Sequence, residues 1–168
     1  MKKINVKLSK QGIDNAIKQL EKYRDSIEPK AKKICTKLAE SGIPIVTTSY
    51  HARQAEDPTD TSTFDVTANE MANGKGATLT ASGEKVYFYE FGAGVWAGEN
   101  YPPERAGGMD ISPGSWSRTH GGRFDYINRP YWEHGGYTFS GFHPAKGMLE
   151  AEKHIEKTAE RELKRAFK

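Results

Sequence analysis

The stretch VYFYEFGAGVW, Val86 to Trp96, decides how the rest of this chain is read. Glu90 stands among Tyr87, Phe88, Tyr89 and Phe91, and Gly92-Ala93-Gly94 follows at once. A carboxylate in such a run either points away from the packed face or is held by buried donors, because an unpaired buried charge is costly. Two explanations follow. In one, Glu90 is a catalytic acid. In the other it is an anchor, with Glu90, Phe91, Gly92 and Gly94 as structural residues, its donors being backbone N–H groups of the Gly92-Ala93-Gly94 turn or Arg129 of NRPYW. The short apolar run itself fits a buried strand and a turn of helix equally well.

Upstream, FDVTA alternates Phe64, Val66 and Ala68 with polar residues, and ATLTAS alternates Ala77, Leu79 and Ala81 with threonines. NGKG between them tolerates positive φ, so the pair reads as a hairpin, with SGEK as a second turn. QAEDPTDTST is a loop where helical character gives way to extended character. Before it, KINVKL reads as a short strand, and Ser9 as the N-cap of a helix that repeats Ile13, Ala16, Ile17 and Leu20. A second helix starts near Glu28-Pro29 and carries Ala31, Ile34, Cys35, Leu38 and Ala39. Ser41-Gly42 marks a break, and Pro44 permits a kinked continuation. The chain closes with a long charged helix in HPAKGMLEAEKHIEKTAERELKRAFK, with Met148, Ile155, Ala159 and Leu163 as the inner stripe. The expected fold is α+β in a single domain, 1–168. An antiparallel sheet of about three to five strands packs against two N-terminal helices and the long C-terminal helix.

Between Gly92 and Tyr137 the periodicity is lost. This segment, 92–137, reads as a long irregular loop inserted before the last helix. It is too aromatic for a disordered linker, with Trp96, Tyr101, Trp116, Phe124, Tyr126, Tyr131 and Trp132. Loops of this length are commonly functional. Its glycines and tryptophans lead us to expect a segment mobile in the free subunit and ordered by assembly.

Composition narrows the function classes. The 168 residues carry 25 basic and 22 acidic side chains, net +3, too balanced to favour sequence-specific nucleic-acid binding. The single cysteine, Cys35, forms no internal disulfide and reads as a buried structural thiol. No apolar run reaches the roughly 20 residues of a membrane span, and the first residues lack a signal-peptide pattern, so a cytoplasmic site of synthesis is expected. His120, His134 and His143, with Asp110, Asp125 and Glu133 near them, match no metal-ligand spacing. EFGAG lacks the ending of a phosphate loop. Ser115 or Ser117 with His120 does not make a nucleophile elbow. Glu90 with Glu133 or Asp110 leaves a carbohydrate hydrolase as an alternative, since the separation such a pair needs is spatial. A nucleic-acid-binding factor is a further one.

The order of elements resembles a family. LAESGIPIVTTSY, the hairpin in NGKGATLTASGEKVYFYEFGAG, SPGSWS, RPYW and HPAKGMLEAEKHI together resemble the gene-ten-like phage proteins of HK-type siphophages, over nearly the whole chain. The resemblance is strongest at Val86 to Gly94 and at Pro144 to Ala151, while the long aromatic loop and Pro44 depart from the shorter family form. It implies a non-catalytic virion protein of the head-to-tail joining region, similar to tail-completion or tail-terminator proteins. It implies self-association into a ring, expected to be a hexamer, with other neck and tail proteins as partners and no cofactor or metal. The location would be the host cytoplasm during assembly and then the virion. Interface cores favour aromatics, methionine and arginine, which makes Trp96, Met109, Trp116, Arg118, Arg123, Arg129 and Trp132 the candidate subunit contacts.

Overall fold

In the computed structural model the described residues are 10–112, 123–125, 131–134 and 137–167. KINVKL and Ser9 lie outside them. Helix α1 runs unbroken from Lys10 to Gln54, 45 residues, where two helices were expected. Pro29 and Pro44 both sit inside it. A proline inside a helix deprives the carbonyl four residues earlier of its N–H partner. Here those carbonyls belong to Asp25 and Glu40, and both prolines and both of these residues are exposed, so water can take the lost donor's place. Gly42 is no break either. A Cβ there would stand 2.6 Å from Leu79 Cδ2 and 3.3 Å from Ala151 Cβ, so glycine allows hairpin and C-terminal helix to close on α1 together.

Strands β1 (Phe64–Glu70) and β2 (Ala77–Gly83) form the expected hairpin, antiparallel, with Phe64 opposite Gly83 and Glu70 opposite Ala77. Its tip is closed by Met71 N–H on the Gly76 carbonyl and by Gly74, whose φ is +67°, on Met71. Phe64, Val66, Leu79 and Ala81 face inward, as the alternation requires. The sheet on the helices therefore has two strands, fewer than expected. Three short strands, β3 (Arg123–Asp125), β4 (Tyr131–His134) and β5 (Tyr137–Ser140), make a separate antiparallel ladder, the first two inside the segment read as irregular and the third running on from its end. Backbone pairing can organise a stretch whose side chains show no alternation, which is why periodicity missed it.

The VYFYEF run resolves to helix α2 (Val86–Phe91), and the last helix, α3, spans Gly147–Ala166. Helix α3 starts beside Tyr50 and Val46, passes Gly42, and ends where Lys30 Nζ lies 5.7 Å from the Phe167 ring centre, so it runs antiparallel along the C-terminal half of α1. Its buried residues are Gly147, Leu149, Ala151 and Thr158, whereas Leu163, expected inside, is exposed. Cys35 is free and half-buried, not fully buried.

The core consists of two clusters. Val46, Tyr50, Tyr89 and Ala151 form one, joined by the inward face of the hairpin and by Met148. Phe91, Tyr101, Ala106, Ile111 and Leu149 form the other, with Tyr87 against it. The first part of the 92–137 segment thus contributes Ala93, Tyr101, Ala106 and Ile111 to the buried residues, while most of the residues between them are exposed or half-buried. Glu90 lies between Tyr89 of the first cluster and Phe91 of the second.

Candidate functional site

Helix α3 enters without a cap of its own. The residue preceding it, Lys146, has a left-handed backbone and makes no side-chain capping bond. The first amides of a helix have no partner within it, and its N-terminus favours a negative charge. Glu90 supplies that charge from the far side of the sequence. Met148 N–H donates to its Oε2 at 2.9 Å and Leu149 N–H to its Oε1 at 3.1 Å. The other two donors are hydroxyls: Tyr50 to Oε2 at 3.0 Å and Tyr101 to Oε1 at 2.8 Å. Each carboxylate oxygen therefore serves one core cluster, Oε2 through Tyr50 and Met148, Oε1 through Tyr101 and Leu149. The Glu90 residue is 4% exposed. Backbone bonds extend the joint, because Ala145 N–H donates to the Tyr89 carbonyl at 2.7 Å and Lys146 N–H to that of Glu90 at 3.3 Å.

The local sequence explains the geometry. Gly92 takes φ +78°, and a Cβ there would stand 2.8 Å from the Phe142 carbonyl oxygen and 2.9 Å from Pro144. Only glycine lets the chain leaving α2 run this close to the segment entering α3, where Ala93 and Phe142 exchange backbone bonds at 2.9 and 3.2 Å. Gly147 has the same task against α1, since a Cβ there would meet the Tyr50 ring at 2.9 Å. Burial, followed by the nearby Glu90 charge, pushes both the Tyr50 and Tyr101 phenols up from their ordinary value, so both remain neutral donors.

A second carboxylate holds the other side of α2. Asp60 Oδ1 accepts from Lys85 Nζ at 2.8 Å, from Ser62 N–H at 3.0 Å and from the Ser62 hydroxyl at 2.6 Å, and Tyr89 donates to Oδ2 at 2.7 Å. Burial alone would raise this carboxyl. The Lys85 ammonium and the Ser62 and Tyr89 hydroxyls outweigh it and hold Asp60 well below the usual carboxylate range. The Tyr89 phenol is pushed up to about 12, by burial first and by Asp60, against the Ser62 hydroxyl that lies 2.6 Å from the phenol oxygen.

The sequence candidates divide clearly. Glu90 is buried and held by donors, which among the described residues are not the Gly92-Ala93-Gly94 amides, and Arg129 lies outside the described residues. Phe91 is core, against Tyr101 at 4.8 Å between ring centres. Gly94 has φ +65° and opens a 3-10 turn, Gly94–Trp96. Trp96 is partly exposed, its ring 4.2 Å from that of His143, which in turn contacts Glu99. Met109 is exposed. Trp116 and Arg118 lie outside the described residues, as do Ser115, Ser117 and His120. Arg123 and Trp132 are placed by backbone pairing only, opposite Glu133 and Phe124. Asp110 turns its carboxylate to Ser112, accepting at 2.9 Å from the amide and 2.5 Å from the hydroxyl. Among the described residues no three His, Cys, Asp or Glu side chains group as metal ligands. No described helix is long and apolar enough to cross a membrane.

Tyr50, Tyr101, Met148, Leu149 and Asp60 are site residues that the sequence reading did not single out. The one signal for the first four was the α3 start itself, KGML after His143-Pro144-Ala145, which lacks Ser, Thr, Asp or Asn at the capping position. Compared with protein-family models, curated proteins and solved structures, the chain matches none.

Proposed function

We propose that this chain is a structural protein of a phage or prophage virion, acting at the head-to-tail joining region as a neck, tail-completion or tail-terminator subunit in a ring, expected to have six copies. One observation carries the reading. The two stretches in which the family resemblance is strongest, VYFYEFGAG and PAKGMLEA, are the two halves of one joint, with Glu90 of the first bound to the Met148 and Leu149 amides of the second. Motifs that look unrelated along the chain thus share a single architectural purpose. Other neck and tail proteins are the partners of such a subunit, and its chemistry requires no cofactor.

The hydrolase alternative is less well supported. A catalytic acid must reach a substrate oxygen within hydrogen-bond distance, whereas both Glu90 oxygens are engaged and the side chain is buried. Mass spectrometry of purified particles from a lysogen carrying the gene tests the proposal. The protein should be found in virions, and deletion should leave filled heads and unjoined tails. Normal infectious particles after deletion would sink it.

A further inference from the structure

The first turns of α1, outward from the point where α3 ends beside Lys30, carry a row of large apolar side chains with nothing described against them. Ile13, Ile17, Leu20, Tyr23 and Ile27 are each 40–55% exposed. Ile13, Ile17, Leu20 and Ile27 fall at alternating steps of four and three, with Arg24 at the intervening position. The same spacing continues into Ala31, Ile34 and Leu38, where Ile34 is buried in the body of the protein. A helix face with this 3.5-residue repeat is a seam for another helix.

The charges around the seam say which kind of occupant fits. From residue 11 to 30, Lys18, Lys22, Arg24 and Lys30 balance Asp14, Glu21, Asp25 and Glu28, so neither a nucleic acid nor an anionic lipid surface finds a cationic face here. Asp14, Glu21 and Glu28 recur one heptad apart on one flank. Two copies laid antiparallel would set acid against acid, while copies running the same way avoid this. Arg24 interrupts the seam and is paired with Asp25 of its own helix at 2.9 Å, and in same-direction copies it stands level with its counterpart, with Glu21 and Glu28 one turn to either side.

We infer that residues 11–30 of α1 form a self-association surface, occupied by the same helix of a second copy running in the same direction. A contact of one face with the same face of a second copy is a twofold pair, and it goes beyond the proposed ring, whose neighbours meet through two different faces. This surface is distinct from the aromatic segment that the sequence suggested.

Sedimentation velocity of the full chain over a wide concentration range tests it, using wild type, Leu20→Glu in the seam, and Gln19→Glu, which adds the same charge on the outer face. Wild type and Gln19→Glu should associate alike, and Leu20→Glu should weaken association by about tenfold or more, with an unchanged thermal melt of the monomer. Equal association of Leu20→Glu and wild type overturns the surface, and so does a wild type that stays monomeric. A monomer whose melting temperature falls on Leu20→Glu also overturns it, by placing residues of its own chain over the seam. None of these outcomes bears on the neck reading, which stands or falls on the protein's presence in virions.

Discussion

The two halves of α1 have the same periodicity and opposite surroundings. From Ala31 to Gln54 the helix is covered by the hairpin and α3, with Val46 and Tyr50 fully buried and Gly42 admitting both neighbours. From Lys10 to Lys30, about 30 Å of helix at 1.5 Å per residue, the large apolar residues Ile13, Ile17, Leu20, Tyr23 and Ile27 are exposed, and of the described residues there only the small Ala16 is buried. Local pattern chooses which face of a helix is apolar. It does not say where along the helix the rest of the chain will lie, and here the length of α3 and the reach of the hairpin set that limit, with Glu70 meeting Lys32 at 2.8 Å near its tip.

The difference is broken most severely at Glu90, whose bonds keep α3 on the covered half. Glu90→Ala would orphan two phenol hydroxyls and two helix amides, at about 1–3 kcal/mol for each group left unsatisfied, and should lower stability by more than about 3 kcal/mol in a chemical denaturation curve. Glu90→Gln keeps the shape and loses the charge, for a cost of roughly 1–3 kcal/mol. Head-to-tail joining in a complementation assay should fall in step with stability. A melt unchanged by either substitution would mean that the joint does not hold the halves apart in character.

Gly147→Ala should cost about 1–3 kcal/mol, because its methyl group would press on a Tyr50 ring already fixed by Glu90. The same measurement on Glu90→Gln and on the double variant sharpens the test, since neighbours sharing Tyr50 should not be additive.

Both ends of the pH scale act on the covered half. Asp60 is held below its unfolded value, so its contribution is complete above about pH 4 and is lost as pH falls from there toward the depressed folded value. Melts recorded from neutral to acid pH should show this loss in wild type and a smaller one in Asp60→Asn. Tyr50, Tyr89 and Tyr101 are raised, so their contribution is complete below about pH 10 and is lost as pH rises through the raised values. Tyr101→Phe should reduce the alkaline loss.

The smallest effect belongs to the open half. Leu20→Glu should move the melt of the isolated subunit by no more than about 0.5 kcal/mol, in contrast to every change above. A large destabilisation would show that the two halves are not different after all.

Much of this protein was legible before its structure. The hairpin followed from alternation and the NGKG turn and the final helix from its spacing, and for Glu90 two options were legible, pointing out of the packed face or being held by buried donors, of which the fold realises the second. Even the requirement for donors was legible, because a buried carboxylate must have them. Their identity was not. Tyr50 is 40 residues before Glu90 and Met148 is 58 after it, and no local rule connects positions so far apart. Pro29 misled because a proline marks a helix boundary unless the freed carbonyl faces water, and facing water is a property of the packed molecule, whereas Pro44, read as permitting a continuation, does lie inside the helix. The helical state of VYFYEF was decided in the same way. As a strand its side chains would alternate between two faces. As a turn of helix between two clusters, Tyr89 and Phe91 each enter a core, and Glu90 between them reaches the N-terminus of α3. Periodicity and chemistry in the sequence set what each segment must satisfy, and only the tertiary arrangement settles which distant group satisfies it, because burial and hydrogen-bond partners belong to the folded whole.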